Sequence, residues 1–288
     1  MFVQSNSVEA IKKYFKERLA YRFSESEIKS ISKQSVMERL NISSTDYLLG
    51  DKLLLSESDL LYFRSIVKRL QNNEPFQYVI GNCDFFGLKF KCDKRALIPR
   101  PETEELVHWI ESVYSKDEEL VIHDVCCGSG CIGLSLKSVF PKSNVLLSDY
   151  EDDALELTKE NAKLLNLHVE VQKLNALSDN TSFDNKFDVW VSNPPYIPEN
   201  EKSEMKQHVL EFEPHSALFV PDEDALIFYK QISKNAFKSL KDGGRVFFEL
   251  HENLFQKSEE VLRETGFINI ELRKDLQGKN RMLMGQKP

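Results

Sequence analysis

The amino-acid sequence predicts an α/β fold: a mostly parallel sheet whose last strand is antiparallel, preceded by an N-terminal helical bundle. Three observations lead there. Apolar residues recur at spacings of three and four through the first seventy residues, where no alternating strand pattern appears. Farther along, short β-rich runs alternate with helical ones, the pattern of a parallel sheet covered on both faces. The last two strand-like runs, 268–272 and 282–284, are joined by a short excursion without a helix, which implies an antiparallel end.

The elements follow in order. Val8, Ile11, Phe15 and Leu19 form one helical stripe. Ser24-Glu25-Ser26-Glu27 is a capping box ahead of Ile28, Ile31 and Leu40. A third helix begins near Ser58 with Leu60, Phe63, Val67 and Leu70 on one face. These make a helical domain over 1–73. Asn72-Asn73-Glu74-Pro75 ends it, and Phe76 to Cys92 is expected as two short strands around Gly81 and Gly87, a β-hairpin linker over 74–94. In the remaining domain, 95–288, a helix with Glu102, Glu104 and Glu105 in its first turn follows Pro99-Arg100-Pro101, as the helix dipole favours. Strands are expected at 120–125, 144–147, 169–172, 187–192 and 246–250, and helices at 130–139, 152–165, 224–240 and 254–264. Asp242-Gly243-Gly244 is expected to close the long helix.

Composition narrows the function classes. The 288 residues suffice for a catalytic domain with a small accessory one. With 41% apolar and 29% charged residues the chain can bury a sizeable core. No apolar run approaches the ~20 residues of a membrane helix, and Met1-Phe2-Val3-Gln4 lacks a signal-peptide layout, so a cytoplasmic protein with no membrane partner is expected. Five cysteines, three of them crowded at Cys126, Cys127 and Cys131, point to reduced thiols; without a Cys-x-x-Cys pair or a companion His no metal is expected. A net charge of −8 argues against direct binding of nucleic acid by phosphate neutralisation. The acid is unevenly placed: residues 1–72 hold 12 Lys+Arg against 9 Asp+Glu, so the excess lies beyond them.

Three motifs carry chemistry. His123-Asp124-Val125-Cys126-Cys127-Gly128-Ser129-Gly130-Cys131-Ile132-Gly133 is a strand breaking into a Gly-rich turn that enters a helix. Such a turn brings backbone N–H groups to an anion, either a dinucleotide pyrophosphate or a methionine carboxylate. Asp149 closes the next strand, 19 residues beyond Gly130, where a carboxylate can accept both hydroxyls of an adenosine ribose. Both features fit either cofactor. Asn193-Pro194-Pro195-Tyr196 separates them. It follows the strand Phe187–Ser192 at the carboxyl edge, and its prolines fix the backbone and lack N–H groups. The Asn193 side-chain oxygen and the Pro194 carbonyl are rigid acceptors for the two hydrogens of one NH2 group, and Tyr196 offers an aromatic face to a planar group. Acceptors that strengthen as positive charge develops on a delocalised nitrogen stabilise the transition state of its alkylation.

With these residues in hand, the chain resembles the release-factor glutamine methyltransferase family, the HemK or PrmC type. The resemblance runs from about Pro75 to the C-terminus. It is carried by Phe76-Gln77-Tyr78-Val79-Ile80-Gly81, Leu97-Ile98-Pro99-Arg100-Pro101-Glu102-Thr103-Glu104, the Gly turn and Asn193-Pro194-Pro195-Tyr196-Ile197-Pro198. Phe212-Glu213-Pro214-His215-Ser216-Ala217-Leu218-Phe219 and the closing Lys274-Asp275-Leu276-Gln277-Gly278-Lys279-Asn280-Arg281 extend it.

The resemblance implies a Rossmann-like class I methyltransferase sheet, S-adenosyl-L-methionine as cofactor, and the Gln of the Gly-Gly-Gln loop of class 1 peptide-chain release factors as substrate. It implies that the helical N-terminal domain helps grip that protein. It also implies that Cys126, Cys127, Gly128, Ser129 and Gly130 contact the methionine end of the cofactor, Asp149 the ribose, and Asn175 or Ala176 the adenine. Asn193 would border cofactor and substrate, and Pro194, Pro195 and Tyr196 would complete the Gln pocket. Asn193, Pro194 and Tyr196 are the expected catalytic residues, and Arg100 to Thr103 are candidates for the cofactor wall or a hinge.

Family members carry Gly-Thr where this chain has Cys126-Cys127, so a left-handed backbone there would strain a cysteine. Because the Asn-Pro-Pro-Tyr element is shared with enzymes acting on a ribosomal-protein Gln and on nucleobase amines, those substrates are the alternatives. A monomer is the expected state.

Overall fold

The computed structural model describes residues 3, 5–48, 53–179, 183 and 186–288. Met1, Phe2 and Gln4, which carry the reading of the N-terminus, lie outside the described residues. The chain forms two compact units, one of Met1–Gly81 with Gln207–Phe212, the other of Asn82–Lys206 with Glu213–Pro288.

The first unit is helical: α1 (Val8–Leu19), α2 (Glu25–Leu40), α3 (Ser44–Leu48), α4 (Glu57–Gln71) and α5 (Phe76–Ile80). Ser24 and Glu27 form the expected capping box, and Ser56 with Asp59 forms a second one two residues before the predicted start of α4. Ile11, Phe15, Leu19, Phe63, Val67 and Leu70 meet in a core where each is almost fully buried. The expected hairpin linker over 74–94 is corrected here. Phe76–Ile80 is a helix that starts after Pro75 and stops at Gly81, whose φ of 82° ends it in the left-handed region. Phe76 and Val79, three apart, pack into the bundle core, so helical spacing outweighed the β-branched composition.

The second unit opens with an antiparallel hairpin, β1 (Asn82–Phe85) and β2 (Leu88–Lys91), turned by Phe86 and Gly87, both at positive φ. After it come α6 (Pro101–Val113), β3 (Val121–Val125), α7 (Cys131–Val139), β4 (Asn144–Asp149), α8 (Asp152–Leu164), β5 (Glu170–Lys173) and β6 (Phe187–Ser192). Two-residue strands β7 (Ile197–Pro198) and β8 (Phe219–Val220) pair with each other, and α9 (Gln207–Phe212), between them in sequence, is assigned to the first unit. The chain closes with α10 (Ile227–Ser239), β9 (Leu240–Glu249), α11 (Phe255–Thr265), β10 (Ile268–Lys274) and β11 (Asn280–Gln286).

The seven-stranded sheet has the order β10-β11-β9-β6-β3-β4-β5. The five strands from β9 to β5 are parallel, and β11 runs antiparallel between β9 and β10. The chain builds outward from β3 through β4 to β5, then returns to place β6 on the other side of β3. That reversal opens a crevice at the carboxyl ends of β3 and β6, the place where open α/β sheets bind ligands. Strand β9 begins six residues before the predicted Val246. The Asp242-Gly243-Gly244 segment lies inside it, at a register shift that Gly243 permits with φ 80°. No helix among the described residues is long and apolar enough to cross a membrane.

Candidate active site

Strand β3 is buried from Ile122 to Val125, and its last residues lead directly into the Gly turn. Asp124 accepts the Gly133 backbone N–H at 2.8 Å, bending the chain back onto the strand so that α7 starts beside it. Gly130 caps α7 at φ 80°, and a side chain there would press on Thr158, Leu134 and Leu147. Thr158 and Asn161 of α8 donate to the carbonyls of Gly128 and Ser129 at 2.8 and 2.9 Å, which pins the turn from the outside. Cys126 stands at φ 60°. The missing glycine is therefore at a left-handed position, and the backbone carries the strain that the sequence suggested for it.

Asp149 ends β4 and accepts two backbone N–H groups, from Gly128 at 2.9 Å and Glu151 at 3.0 Å. Each oxygen keeps lone pairs for another donor. Burial holds its carboxyl above the usual range, opposed by those N–H donors. Burial also pushes the Cys126 and Cys127 thiols well up, helped by the Asp149 charge in both cases, so both stay protonated at neutral pH.

Ser192 ends β6 and donates to the Val125 carbonyl at 2.6 Å, joining β6 to β3 where the two motifs diverge. Asn193-Pro194-Pro195-Tyr196 follows, held at its far end by the Ile197 N–H on the Leu218 carbonyl at 3.0 Å. Asn193 Nδ2 donates to Thr103 Oγ1 at 3.5 Å, Thr103 Oγ1 donates to Glu249 Oε2 at 2.6 Å, and Tyr196 Oη donates to Glu249 Oε1 at 3.1 Å. The Ile98-Pro99-Arg100 segment is fixed from another side. Buried Glu213 accepts the Ile98 N–H at 3.1 Å and the Arg100 guanidinium at 2.6 Å. Two motifs 113 residues apart are thus one structural feature.

These pieces enclose a cavity of about 440 Å³. That falls within the ~300–1,000 Å³ of small-molecule sites. Cys126, Cys127, Gly128, Ser129, Asp149, Asn175, Asn193 and Pro195 line it, with Arg100, Thr103 and Ala176. Gly130, Pro194 and Tyr196 do not line it: Gly130 faces the packing behind the turn, and the Tyr196 hydroxyl is turned to Glu249. Ala96, Ala154, Leu174 and Phe228 supply apolar wall that the motifs did not indicate, beside Ile98 of the Ile98-Pro99-Arg100 segment. Sequence reasoning also missed the polar lining residues Arg95, Tyr150 and Glu151, and Glu249 behind the loop. The signal for Glu249 was an acidic residue ending the apolar strand Val246-Phe247-Phe248, at the same carboxyl edge as Asp149 and Asn193.

The donor set suits a charged nucleoside ligand. Asp149 offers acceptors beside the turn, residues 126–129 line the cavity, and apolar side chains flank a slot that includes Asn175 and Ala176. His123, by contrast, is a core residue. It is fully buried, bonded to Ser148 at 2.8 Å and stacked on Phe187, and burial lowers its pKa to about 3, leaving it neutral.

Comparison with known proteins agrees with this geometry. Residues 106–215 match the family model described as the Methyltransferase small domain, and residues 13–81 match the PrmC N-terminal domain. A release factor glutamine methyltransferase of Flavobacterium psychrophilum is 38% identical over 272 residues, covering 93% of this chain and 95% of the relative. One from Bacteroides thetaiotaomicron is 34% identical over 270 residues, covering 94% and 96%. Among solved structures, a methyltransferase from Pyrococcus furiosus superposes with a TM-score of 0.52 at 18% identity, over 70% of this chain and 90% of that one, a likeness of fold. Identity of this degree along nearly the whole length, with matches to both family models, establishes that the chain belongs to the release factor glutamine methyltransferase family.

Proposed function

We propose that this protein methylates the side-chain amide nitrogen of the glutamine in the Gly-Gly-Gln motif of class 1 peptide-chain release factors. S-adenosyl-L-methionine is the methyl donor. The observation that carries the reading is the placement of Asn193: a side-chain amide on a proline-fixed loop, lining the same cavity as Asp149 and the Gly turn. The match to the PrmC N-terminal domain and the names of the relatives favour a release factor over a ribosomal protein or a nucleobase amine.

When bound, S-adenosyl-L-methionine supplies a sulfonium methyl already activated for transfer. Asp149 would hold the ribose hydroxyls, the backbone of Cys126 to Ser129 the methionine carboxylate, and Asn175 with Ala176 the adenine edge. Asn193 Oδ1 and the Pro194 carbonyl accept the two hydrogens of the substrate amide, and Pro195 and Tyr196 shape the pocket around it. An amide nitrogen is a weak nucleophile because its lone pair is delocalised into the carbonyl. As the nitrogen gains the methyl group, with the C–S bonding pair returning to sulfur, its N–H groups become more acidic and the two acceptors strengthen as the charge grows; one N–H proton is then lost to water, leaving the neutral methylamide. Orientation in line with the methyl supplies the rest of the acceleration, and no tuned general base is required before transfer. The cytoplasm is the proposed compartment and a monomer without direct nucleic-acid contact the proposed working form, consistent with a net charge of −8.

The test is transfer of label from S-adenosyl-L-methionine to a purified release factor. Label is expected on the intact factor and absent both from a factor whose Gly-Gly-Gln glutamine is changed to alanine and from reactions with Asn193→Ala enzyme. Cofactor binding without any transfer to the factor would overturn the reading.

A further inference from the structure

Glu249 touches the candidate catalytic loop directly at Tyr196 and reaches it again through Thr103. One carboxylate oxygen accepts the Tyr196 hydroxyl directly, at 3.1 Å, and the other accepts the Thr103 hydroxyl at 2.6 Å. Thr103 in turn meets the Asn193 amide at 3.5 Å. Glu249 and Thr103 are 2% exposed, and they arrive from separate elements, the carboxyl end of β9 and the first turn of α6. Tyr229 donates its hydroxyl to the Glu249 backbone carbonyl at 3.1 Å, fixing the strand end as well as the side chain.

We infer that Thr103 and Glu249 are positioning residues that fix which way the Asn193 amide points. The argument is one of hydrogen-bond direction. An ionised carboxylate has no proton and can only accept, so the hydroxyls of Thr103 and Tyr196 must both donate to Glu249. The single proton of Thr103 is then committed, and its oxygen has only lone pairs to offer Asn193. The amide of Asn193 must turn its NH2 toward Thr103, leaving Oδ1 on the opposite side for a substrate amide hydrogen. The flipped amide would set Oδ1 against the oxygen of buried Thr103, acceptor against acceptor, with no proton left between them. The same carboxylate holds the Tyr196 ring by its hydroxyl. One buried acid thereby orients both ends of the Asn193–Tyr196 loop.

Burial raises the Glu249 carboxyl above the usual range, while the Thr103 hydroxyl, the Arg281 guanidinium and the Tyr196 hydroxyl act in the opposite direction and favour the ionised form. Arg281 is held in place by Asp275 at 3.3 Å and by the Leu250 carbonyl at 3.3 Å. The closing hairpin therefore supports the relay through that cation.

This inference rests on Asn193 being the acceptor for the substrate amide, so its test has an arm that needs no substrate. In that arm, hydrogen exchange of the Asn193 side-chain NH2 is followed by NMR in the full-length protein. The signal is assigned by its loss in Asn193→Ala. Slow exchange in the wild type should become fast in Thr103→Val, which keeps the side-chain shape and removes the hydroxyl, and stay slow in Thr103→Ser. Unchanged exchange in Thr103→Val overturns the inference whether or not the protein methylates a release factor.

In the activity arm, Thr103→Val and Glu249→Gln should each lower kcat by roughly tenfold to a hundredfold, the scale of a small misplacement of a reacting group. KM for the release factor should stay within about threefold, and Thr103→Ser should restore kcat. A loss confined to KM, or a Thr103→Ser enzyme as slow as Thr103→Val, contradicts it. Absence of transfer by the wild-type enzyme would count against the functional reading, while the exchange result would still decide the relay.

Discussion

Asp149 accepts the backbone N–H of Gly128 at 2.9 Å, which ties the end of β4 to the turn that follows β3. The two proposed cofactor-binding motifs are therefore one unit, and removing the carboxylate should loosen both. We predict that Asp149→Ala weakens S-adenosyl-L-methionine binding by roughly tenfold to a hundredfold, the worth of hydrogen bonds to a charged group. Calorimetric titration of the variant checks this; affinity equal to wild type would remove Asp149 from the site.

Cys126 at φ 60° predicts an unusual mutational response. A left-handed non-glycine residue costs about 1–2 kcal/mol, so Cys126→Gly should leave the protein as stable as wild type or up to about 1 kcal/mol more so, after the added freedom of the unfolded chain is counted. A β-branched Cys126→Val should be destabilised by about 1–3 kcal/mol. Urea midpoints of the two variants check the ordering.

Much of this was legible beforehand. The helical spacing of 1–73, the alternation of strands and helices, and the antiparallel end came from periodicity, which tracks burial, and burial is what the sheet and bundle are built from. Phe76–Ile80 misled because five residues are too few to separate a helix from a strand by period, and its β-branched and aromatic content pointed the other way. The candidate cavity was legible where its lining is contiguous in sequence, at Cys126 to Ser129 and at Asn193 and Pro195. The pairing of Glu213 with Arg100 and of Glu249 with Thr103 was not, because each joins positions more than a hundred residues apart and no local pattern records the partner.

Gly133 predicts a packing defect. A methyl group on its Cα would lie 2.8 Å from Leu147 Cδ2 and 3.0 Å from Asp124 Oδ2, in a fully buried corner of β4 and α7. Gly133→Ala should lower stability by about 1–3 kcal/mol through overpacking. A thermal melt indistinguishable from wild type would show that Leu147 moves aside without cost.

Asp124 predicts a pH dependence of stability. Burial raises its carboxyl to about 8 from an ordinary value of 3.8; the Gly133 N–H opposes the shift and the Asp149 charge adds to it. A carboxyl with a raised folded pKa favours the folded state fully below about pH 4, and that contribution is lost as pH rises through about 8. Denaturant midpoints at about pH 5 and about pH 8 should fall with rising pH in the wild type and fall less in Asp124→Asn, which cannot ionise. Equal slopes would mean that Asp124 carries its charge in the folded protein.

The central claim is that Asn193 serves methyl transfer to a release-factor glutamine amide. It is tested most directly by mass spectrometry of the release-factor peptide that contains Gly-Gly-Gln, after incubation with S-adenosyl-L-methionine and the wild-type or Asn193→Ala enzyme. The account predicts one added methyl group, located by fragmentation on the glutamine side chain, with the wild type. The Asn193→Ala variant should bind the cofactor and leave the peptide unmodified. An unmodified peptide with both enzymes, or a methyl group on another residue, would contradict it.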